Sequence, residues 1–453
     1  SQGFPKPQYQ GSQSQGFSRP QSQGSQSQGF PGPQSQGSNH PHTMNNFGSS
    51  SSFPLPSING FEGSPNTPSN SNVFTVVNGI QEFTLDLLST FRGLGKRGNI
   101  IFSPVSISSL LSLLTLATNG LSRHEIEVAL NLPTQQSSFD HHNQYEAILR
   151  RLNQNSQGLN ISTSSRLFLE KSVPVYGSFT QKAADHYNCS VSLERFRDRP
   201  EQTMRRVNRW VTTATEGKIT EFISEPFSPS TLFVAANTIY FSGDWETPFS
   251  EYFTGPRDFD TGRKIIKVPM MTNVFTAPHY YSAYINADIV SMPYVGGEFS
   301  MFIILPRESP REKSIKALEN KLDTFLIEEL ISNMTSKQVS VSLPKMRMSM
   351  KSSLVDSFSQ LNIQSIFSPI TADFSELTNT RPLWVSAFLH EAVMEITEKG
   401  TVAAAVSAAT LDRIGGYQRI NVNKPAIIFI RDKVTGLPLF WTRLVKPDPI
   451  SKT

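Results

Sequence analysis

Cysteine is nearly absent from this chain. A single residue, Cys189, stands among 453, which excludes an intramolecular disulfide framework and zinc sites built on paired cysteines. Charge of one sign is also missing. Lys and Arg number 41 against 37 Asp and Glu, and the resulting +4 is too small a surplus to suggest a nucleic-acid partner. Long apolar runs are lacking too. Leu110–Leu114 and Ala426–Ile430 are core-sized and fall well short of the roughly 18 residues that cross a bilayer, so no membrane partner is expected. Catalytic signatures do not emerge: Gly-x-Ser-x-Gly is absent, and His390-Glu391 has no second His four residues on, so no zincin metal site forms. No enzyme activity, metal or cofactor is expected on these grounds. Hydrophobic residues make up 37 %, low for a globular protein.

That deficit is local. Residues 1–39 are three copies of a 13-residue unit rich in Gln, Ser, Gly and Pro, beginning at Ser1, Ser14 and Ser27. Each copy offers one Phe, with Tyr9 added in the first, too little apolar surface to offset the entropy of ordering a backbone. Ser, Asn, Pro and Gly continue to about Asn72, so 1–72 reads as a disordered low-complexity tail. The chain opens on Ser1 rather than Met, which reads as an N-terminal signal already removed.

From Val73 the pattern changes. Phe83, Leu87, Leu88 and Phe91 recur at helical spacing, and helices are expected over Val105–Ala117, Met204–Thr213 and Ser314–Leu330. Strand-like runs are Ile100–Phe102, Arg166–Leu169, Leu232–Tyr240, Ala287–Met292, Phe299–Leu305, Gln338–Leu343, Leu389–Ile396 and Ala426–Ile430. Strands and helices interleave without βαβ regularity, which predicts an α+β fold, and 73–450 shows no second linker, which predicts one large domain. Gly93-Leu-Gly95-Lys-Arg-Gly98 matches a dinucleotide pattern but precedes a strand instead of following one, so it is assigned to a turn. Arg205, Arg206 and Arg209 read as a solvated helix face, with a polyanion site as the competing reading. Cys189 reads as a small buried hydrophobe. Sequons at Asn160, Asn188 and Asn333 are glycosylation candidates, compatible with a secreted chain.

The most informative stretch runs from Glu398 to Tyr417. Small uncharged residues fill Thr401–Thr410 between two strand-like runs. One reading is an Ala-rich helix. The other is an exposed loop able to become a strand inside a sheet, with Gly400 as a hinge and Thr401, Ala403, Ala405, Ser407 and Ala409 sharing one face at period two.

Here the chain resembles the serpins, over essentially all of 73–450. The carrying motifs are Asn99-Ile-Ile-Phe-Ser-Pro-Val-Ser-Ile, Asn208-x-Trp210-Val211 with Thr215-x-Gly217-Lys218-Ile219, and Ala236-Asn237-x-Ile239-Tyr240-Phe241-x-Gly243-x-Trp245. Met292-Pro293-Tyr294, Leu343-Pro344-Lys345, Ala372-Asp373-Phe374-Ser375 and Asn423-Lys-Pro425 through Phe429-Ile430-Arg431-Asp432 follow in order. The resemblance implies three β-sheets with surrounding helices and a reactive loop at about 398–420. It implies suicide inhibition: a serine protease attacks the loop, forms its acyl-enzyme, and is trapped when the cut loop inserts into the central sheet. Glu398, Gly400, Thr401, Ala403, Ala404 and Ala405 are similar to the hinge of inhibitory members. A non-inhibitory carrier or chaperone is the alternative.

Counting from the hinge favours Ile414-Gly415 as the scissile bond, whereas chemistry favours Arg413-Ile414, because trypsin-like proteases read a cation. Arg413-Ile414-Gly-Gly also looks like a zymogen activation site, which makes a zymogen-activating extracellular protease the expected partner of a monomeric inhibitor. Gln- and Ser-rich extensions on Arg-specific members look like the arthropod serpins of innate-immunity cascades such as melanisation. Because the 13-residue repeats of the tail lack acidic residues and a packable core, a chain starting at Val73 is expected to inhibit trypsin with an unchanged second-order rate. A large loss in stopped-time inhibition assays contradicts this.

Overall fold

The computed structural model describes residues 70–133, 140–154, 158–308, 312–400, 417–448 and 450. In chain order the elements are α1 (Asn70–Gly93), β1 (Ile100–Phe102), α2 (Pro104–Thr115), α3 (Gly120–Ala129), α4 (His141–Asn153), β2 (Leu159–Glu170), α5 (Gly177–Tyr187), β3 (Ser190–Glu194), α6 (Pro200–Ala214) and β4 (Phe233–Gly243). Then follow β5 (Gly255–Asp260), β6 (Ile265–Ser282), β7 (Ala287–Pro293), β8 (Phe299–Pro306), α7 (Glu312–Glu319), α8 (Thr324–Ser332), β9 (Thr335–Pro344) and β10 (Met346–Ser353). The last are α9 (Val355–Gln360), β11 (Ala387–Ile396), β12 (Gln418–Asn421), β13 (Ala426–Asp432) and β14 (Pro438–Leu444).

A five-stranded sheet has the order β10-β11-β4-β2-β3. The remaining strands follow the path β1-β14-β13-β8-β7-β6-β9-β12, with β5 on β6. This second network holds the other two sheets of the α+β fold, which are continuous through β6. The 18-residue β6 pairs β5 and β9 along its first part, and β7 over His279–Ser282. A large apolar core joins the sheets to α1 and α2, and a smaller one lies under α6.

Helix α2 is buried along its whole length although it carries four serines. Their hydroxyls are satisfied close by: Ser108 donates to the Val105 carbonyl at 3.1 Å, Ser109 to that of Ser106 at 2.9 Å, and Ser112 meets the Tyr187 hydroxyl at 2.7 Å. Buried hydroxyls cost little once bonded, and serines in place of leucines let other elements approach closely. The Gly93–Gly98 motif is the end of α1. Gly95 takes φ 71°, Gly95 N–H donates to Arg92 O at 2.9 Å and Lys96 N–H to Phe91 O at 3.0 Å, a helix stop that needs a left-handed residue. Cys189 is buried, and burial pushes its thiol up to about 12, so it packs as a hydrophobe.

The single helix expected over Ser314–Leu330 is two. Helix α7 stops at Glu319, and Asp323 caps α8 by accepting from Leu326 N–H at 2.7 Å. The break lets Glu319 meet Arg443 in a buried two-point ion pair. Arg443 Nε lies 2.6 Å from Glu319 Oε1, Nη2 bonds Oε2, and Nη1 donates to the Lys96 carbonyl at 3.1 Å. Arg443→Met leaves Glu319 unpaired in the core and is expected to cost about 3–5 kcal/mol. The double variant Arg443→Met/Glu319→Leu is expected to recover most of that, as read from urea unfolding midpoints.

Candidate functional site: the seam between β11 and β4

Strands β11 and β4 pair in parallel, with unbroken register from Ala387↔Val234 to Glu395↔Ser242. Both outer neighbours are antiparallel: β10 to β11, and β2 to β4. The two strands bond each other directly, so the sheet is closed at this seam. Three sets of side chains hold it.

On the core face, His390 and Asn237 are register partners and meet at 2.8 Å through Nδ1 and Oδ1. Ser103 N–H, at the cap of α2, donates to His390 Nε2 at 3.2 Å, so the ring proton sits on Nδ1 and is donated to Asn237. Asn237 Nδ2 continues to Ser165 Oγ on β2 at 3.0 Å. Burial pushes His390 down to about 3, so the ring is neutral at physiological pH.

The other face is covered by α6. Val207 and Val211 pack with Phe222, Val234, Ala236, Tyr240 and Val393, from both sides of the seam. Asn208 accepts from Phe222 and Ile223 N–H at 3.1 and 2.7 Å and pins the segment after α6. Tyr240 donates its hydroxyl to Glu395 Oε2 at 2.9 Å across the seam, Arg347 Nη1 holds Glu395 Oε1 at 2.6 Å, and Lys218 approaches at 3.8 Å. Glu391 lies in register with Thr238 on this face. Its Oε2 has no hydrogen-bond partner, and burial raises the carboxyl to about 7.

The third set clamps the end of β11. Trp245 Nε1 donates to Thr397 O at 2.8 Å, Trp245 N–H to Lys399 O at 2.9 Å, and Phe249 N–H to Glu398 O at 3.1 Å. The indole stacks on Tyr294, ring centroids 4.6 Å apart. Glu398 is buried and bound by Lys345 at 2.8 Å. Burial pushes the carboxyl up, but the hydrogen bonds from Lys345, its own backbone N–H and Thr254, together with the Lys345 charge, outweigh it and hold Glu398 below the usual range. Gly400 is required for a reason the sequence does not reveal: a Cβ there would stand 2.4 Å from the Trp245 carbonyl oxygen and 2.9 Å from Pro248 Cβ.

Of the expected site residues, Glu398 and Gly400 therefore meet at this clamp. Thr401, Ala403, Ala404, Ala405, Arg413, Ile414 and Gly415 lie outside the described residues. Trp245, Asn237 and His390 are site residues that residue-by-residue reasoning does not find. Two stand in the most recognisable motif, and the third draws notice only as a non-ligand. Arg205, Arg206 and Arg209 are exposed on α6 as expected, with Arg206 on Glu194 at 2.8 Å and Arg205 near Glu201 at 3.7 Å. Asn160, Asn188 and Asn333 are all exposed. Among the described residues no cluster of His, Cys, Asp and Glu is arranged to hold a metal ion, and no helix is long and apolar enough to cross a membrane.

Residues 78–447 match the family described as Serpin (serine protease inhibitor). The chain is a serpin. A leukocyte elastase inhibitor of Xenopus tropicalis is 30 % identical over 369 residues, 81 % of this chain and 97 % of that one. Alpha-1-antiproteinase 2 of Equus caballus is 30 % identical over 77 % of this chain and 82 % of its own length. Intracellular coagulation inhibitor 1 of Tachypleus tridentatus is 27 % identical over 79 % and 86 %. Uncleaved ovalbumin shares the fold with a TM-score of 0.76 at 24 % identity, covering 82 % of this serpin and all of that chain. Mouse protein-Z dependent protease inhibitor gives 0.75 at 26 %, covering 83 % and 98 %. Family and relatives support serine protease inhibition, with a protease as partner rather than as the activity of this chain.

The seam carries two titrating groups of opposite effect. His390 is depressed from 6.5 to about 3, so the stability it contributes is complete above pH 6.5 and drains as pH falls towards 3. Glu391 is raised from 4.5 to about 7, so its penalty is absent below pH 4.5 and grows as pH rises through 7. His390→Gln is expected to lower the melting temperature at pH 7.5 and to shrink its further fall on going to pH 4.5. Glu391→Gln is expected to raise it at pH 8 with little effect at pH 4.5. Calorimetric melting across pH reads both slopes.

Proposed function

We propose that this serpin inhibits a trypsin-like protease by suicide trapping, with Arg413-Ile414 as the bait bond and Ile414-Gly415 as the alternative. The observation that carries the reading is the closed parallel seam. A segment that leaves the end of β11 and folds back runs antiparallel to β11. It also runs antiparallel to β4, because the two strands are parallel. Insertion then replaces one parallel ladder by two antiparallel ones, adding a strand of hydrogen bonds and a slightly stronger pairing geometry.

Length and composition support the same reading. The ladder spans Ala387–Glu395 on β11, and the uncharged run Thr401–Thr410 covers about the same distance at ~3.3 Å per residue. The first charge after it is Asp412, followed by Arg413, so the bait cation lies just beyond the part that would enter the sheet. The Trp245–Thr397 and Trp245–Lys399 bonds must be released for entry to begin, which makes the clamp the barrier that keeps the uncut sheet closed. Once the loop is cut, the chain end on the hinge side is free to move.

The target we propose is an extracellular, zymogen-activating protease, since Arg413-Ile414-Gly-Gly imitates an activation site. Exposed sequons at Asn160, Asn188 and Asn333 support secretion and glycosylation. The tail of residues 1–72 is proposed to be dispensable for trapping.

Incubation with trypsin is expected to give a complex that survives sodium dodecyl sulfate, with Ile414 as the new N-terminus by mass spectrometry. Arg413→Ala is expected to abolish it. Thr401→Arg places a charge where insertion starts, so the product should shift from complex to cleaved inhibitor. The cleaved wild type should melt at a sharply higher temperature. Cleavage without a complex and without thermal gain points instead to a carrier or chaperone, and a new end at Gly415 moves the bait by one residue.

A further inference from the structure

On a different part of the molecule, four separate segments converge on a cleft of about 340 Å³ whose charged lining is entirely basic: Arg97, Arg263, Lys264, Lys316, Arg443 and Lys446. Arg97 belongs to the turn after α1, Arg263 and Lys264 to the β5–β6 turn, Lys316 to α7, and Arg443 and Lys446 to the end of β14 and the segment beyond it. Among the described residues, no Asp or Glu lines it.

The frame is rigid where the cations are mounted. Asn99 Oδ1 accepts from Val445 and Lys446 N–H at 2.8 and 2.9 Å, and its Nδ2 donates to the Lys446 carbonyl at 2.6 Å. Buried Arg443 ties the turn that carries Arg97 through the Lys96 carbonyl at 3.1 Å. The β5–β6 turn is closed by Thr261, whose hydroxyl donates to Lys264 O at 2.8 Å and accepts from Lys264 N–H at 3.1 Å. Positive charge is also present behind the wall. The two-point pair with Glu319 neutralises Arg443, while the nearby Arg92, whose Nη1 is buried without a hydrogen-bond partner, adds a further cation. Two carboxylates stand close in sequence: Asp260, next to Thr261, accepts from Gly262 N–H at 2.8 Å, and exposed Asp448 lies 3.9 Å from Lys446 Nζ.

Like charges gathered in a concave site repel one another and focus a field that an anion relieves. We propose that this cleft binds a compact ligand bearing several sulfate or phosphate groups, seated between Arg97, Lys264 and Lys446. Arg and Lys in this density suit tetrahedral oxyanions, which accept several charge-assisted hydrogen bonds each. A volume of about 340 Å³ admits a unit of disaccharide size. The arginines of α6 offer a contrast. They sit on a convex helix, and two of them are already matched to Glu201 and Glu194, so that face lacks the geometry of a site.

Two probes separate the sources of this chemistry: sucrose octasulfate and inositol hexakisphosphate. Each is titrated calorimetrically into the full chain at about 0.15 M ionic strength, where charges further apart than about 8 Å are screened. The comparison is between wild type, Arg97→Ser/Lys264→Ser/Lys446→Ser and Arg205→Ser/Arg206→Ser/Arg209→Ser. Saturable one-to-one binding is expected to wild type and to the α6 variant, weakened about tenfold or more in the cleft variant. The tighter probe identifies sulfate or phosphate as the cognate group. If neither probe saturates with wild type, or if both variants lose the same affinity, the cleft is not a site. Unliganded melting temperatures equal to that of wild type show that the variants are folded.

Discussion

Between β11 and β4 two strands run side by side in the same direction, and the surrounding structure is arranged around that pairing. The sheet is complete as it stands; a strand of the opposite direction would pair antiparallel with both strands only once the parallel ladder between them is broken. What keeps it closed is local and polar: His390 to Asn237, Tyr240 to Glu395, and Trp245 to the backbone of Thr397 and Lys399. Helix α6 adds an apolar cover that touches both strands. Opening the seam would therefore break these ties together with the parallel ladder from Ala387 to Glu395, and leave the main core in place. In the proposed mechanism the closed state persists because these bonds must break before the antiparallel ones form.

Much of this is legible in the sequence, and the losses have definite causes. Strands β7, β8 and β13 are dominated by apolar residues, and their expected bounds differ little from those observed. Strand β2 is legible only as Arg166–Leu169, because Asn160–Ser165 is a polar stretch with one Ile. Those residues are held in the sheet by pairing with β4, which no local pattern reveals. The break between α7 and α8 escapes a pattern reading because Asp323 looks like an ordinary helix residue until its cap bond is seen. At the site, Glu398 and Gly400 stand out through their motif. Asn237 and His390 are 153 residues apart, and nothing in either neighbourhood announces the other. The sequence suggests Gly400 for its flexibility, whereas the close approach of the Trp245 carbonyl is what forbids a side chain there.

The small net charge conceals strong local organisation. Around the seam, charges are paired across elements, as Glu395 is with Arg347 and Glu398 with Lys345, and act as ties. In the cleft formed by the β5–β6 turn and the end of β14, cations from four segments share a wall that holds no carboxylate among the described residues. A formal charge near zero is thus compatible with a tie at one place and a concentrated field at another, and only the tertiary arrangement distinguishes them.

Trp245 has a further consequence. It is one of four tryptophans, and its indole is sandwiched between the Tyr294 ring and the backbone end of β11 that it bonds. Separation of Thr397–Gly400 from this residue removes the acceptor of its ring N–H and admits water. Indole emission moves to longer wavelength when that happens, so a movement of Thr397–Gly400 away from the indole would write an optical signal in the native chain. With Trp210, Trp384 and Trp441 replaced by Phe, a stopped-flow trace of that emission would time release of the clamp apart from the strand insertion proposed above, with no label attached.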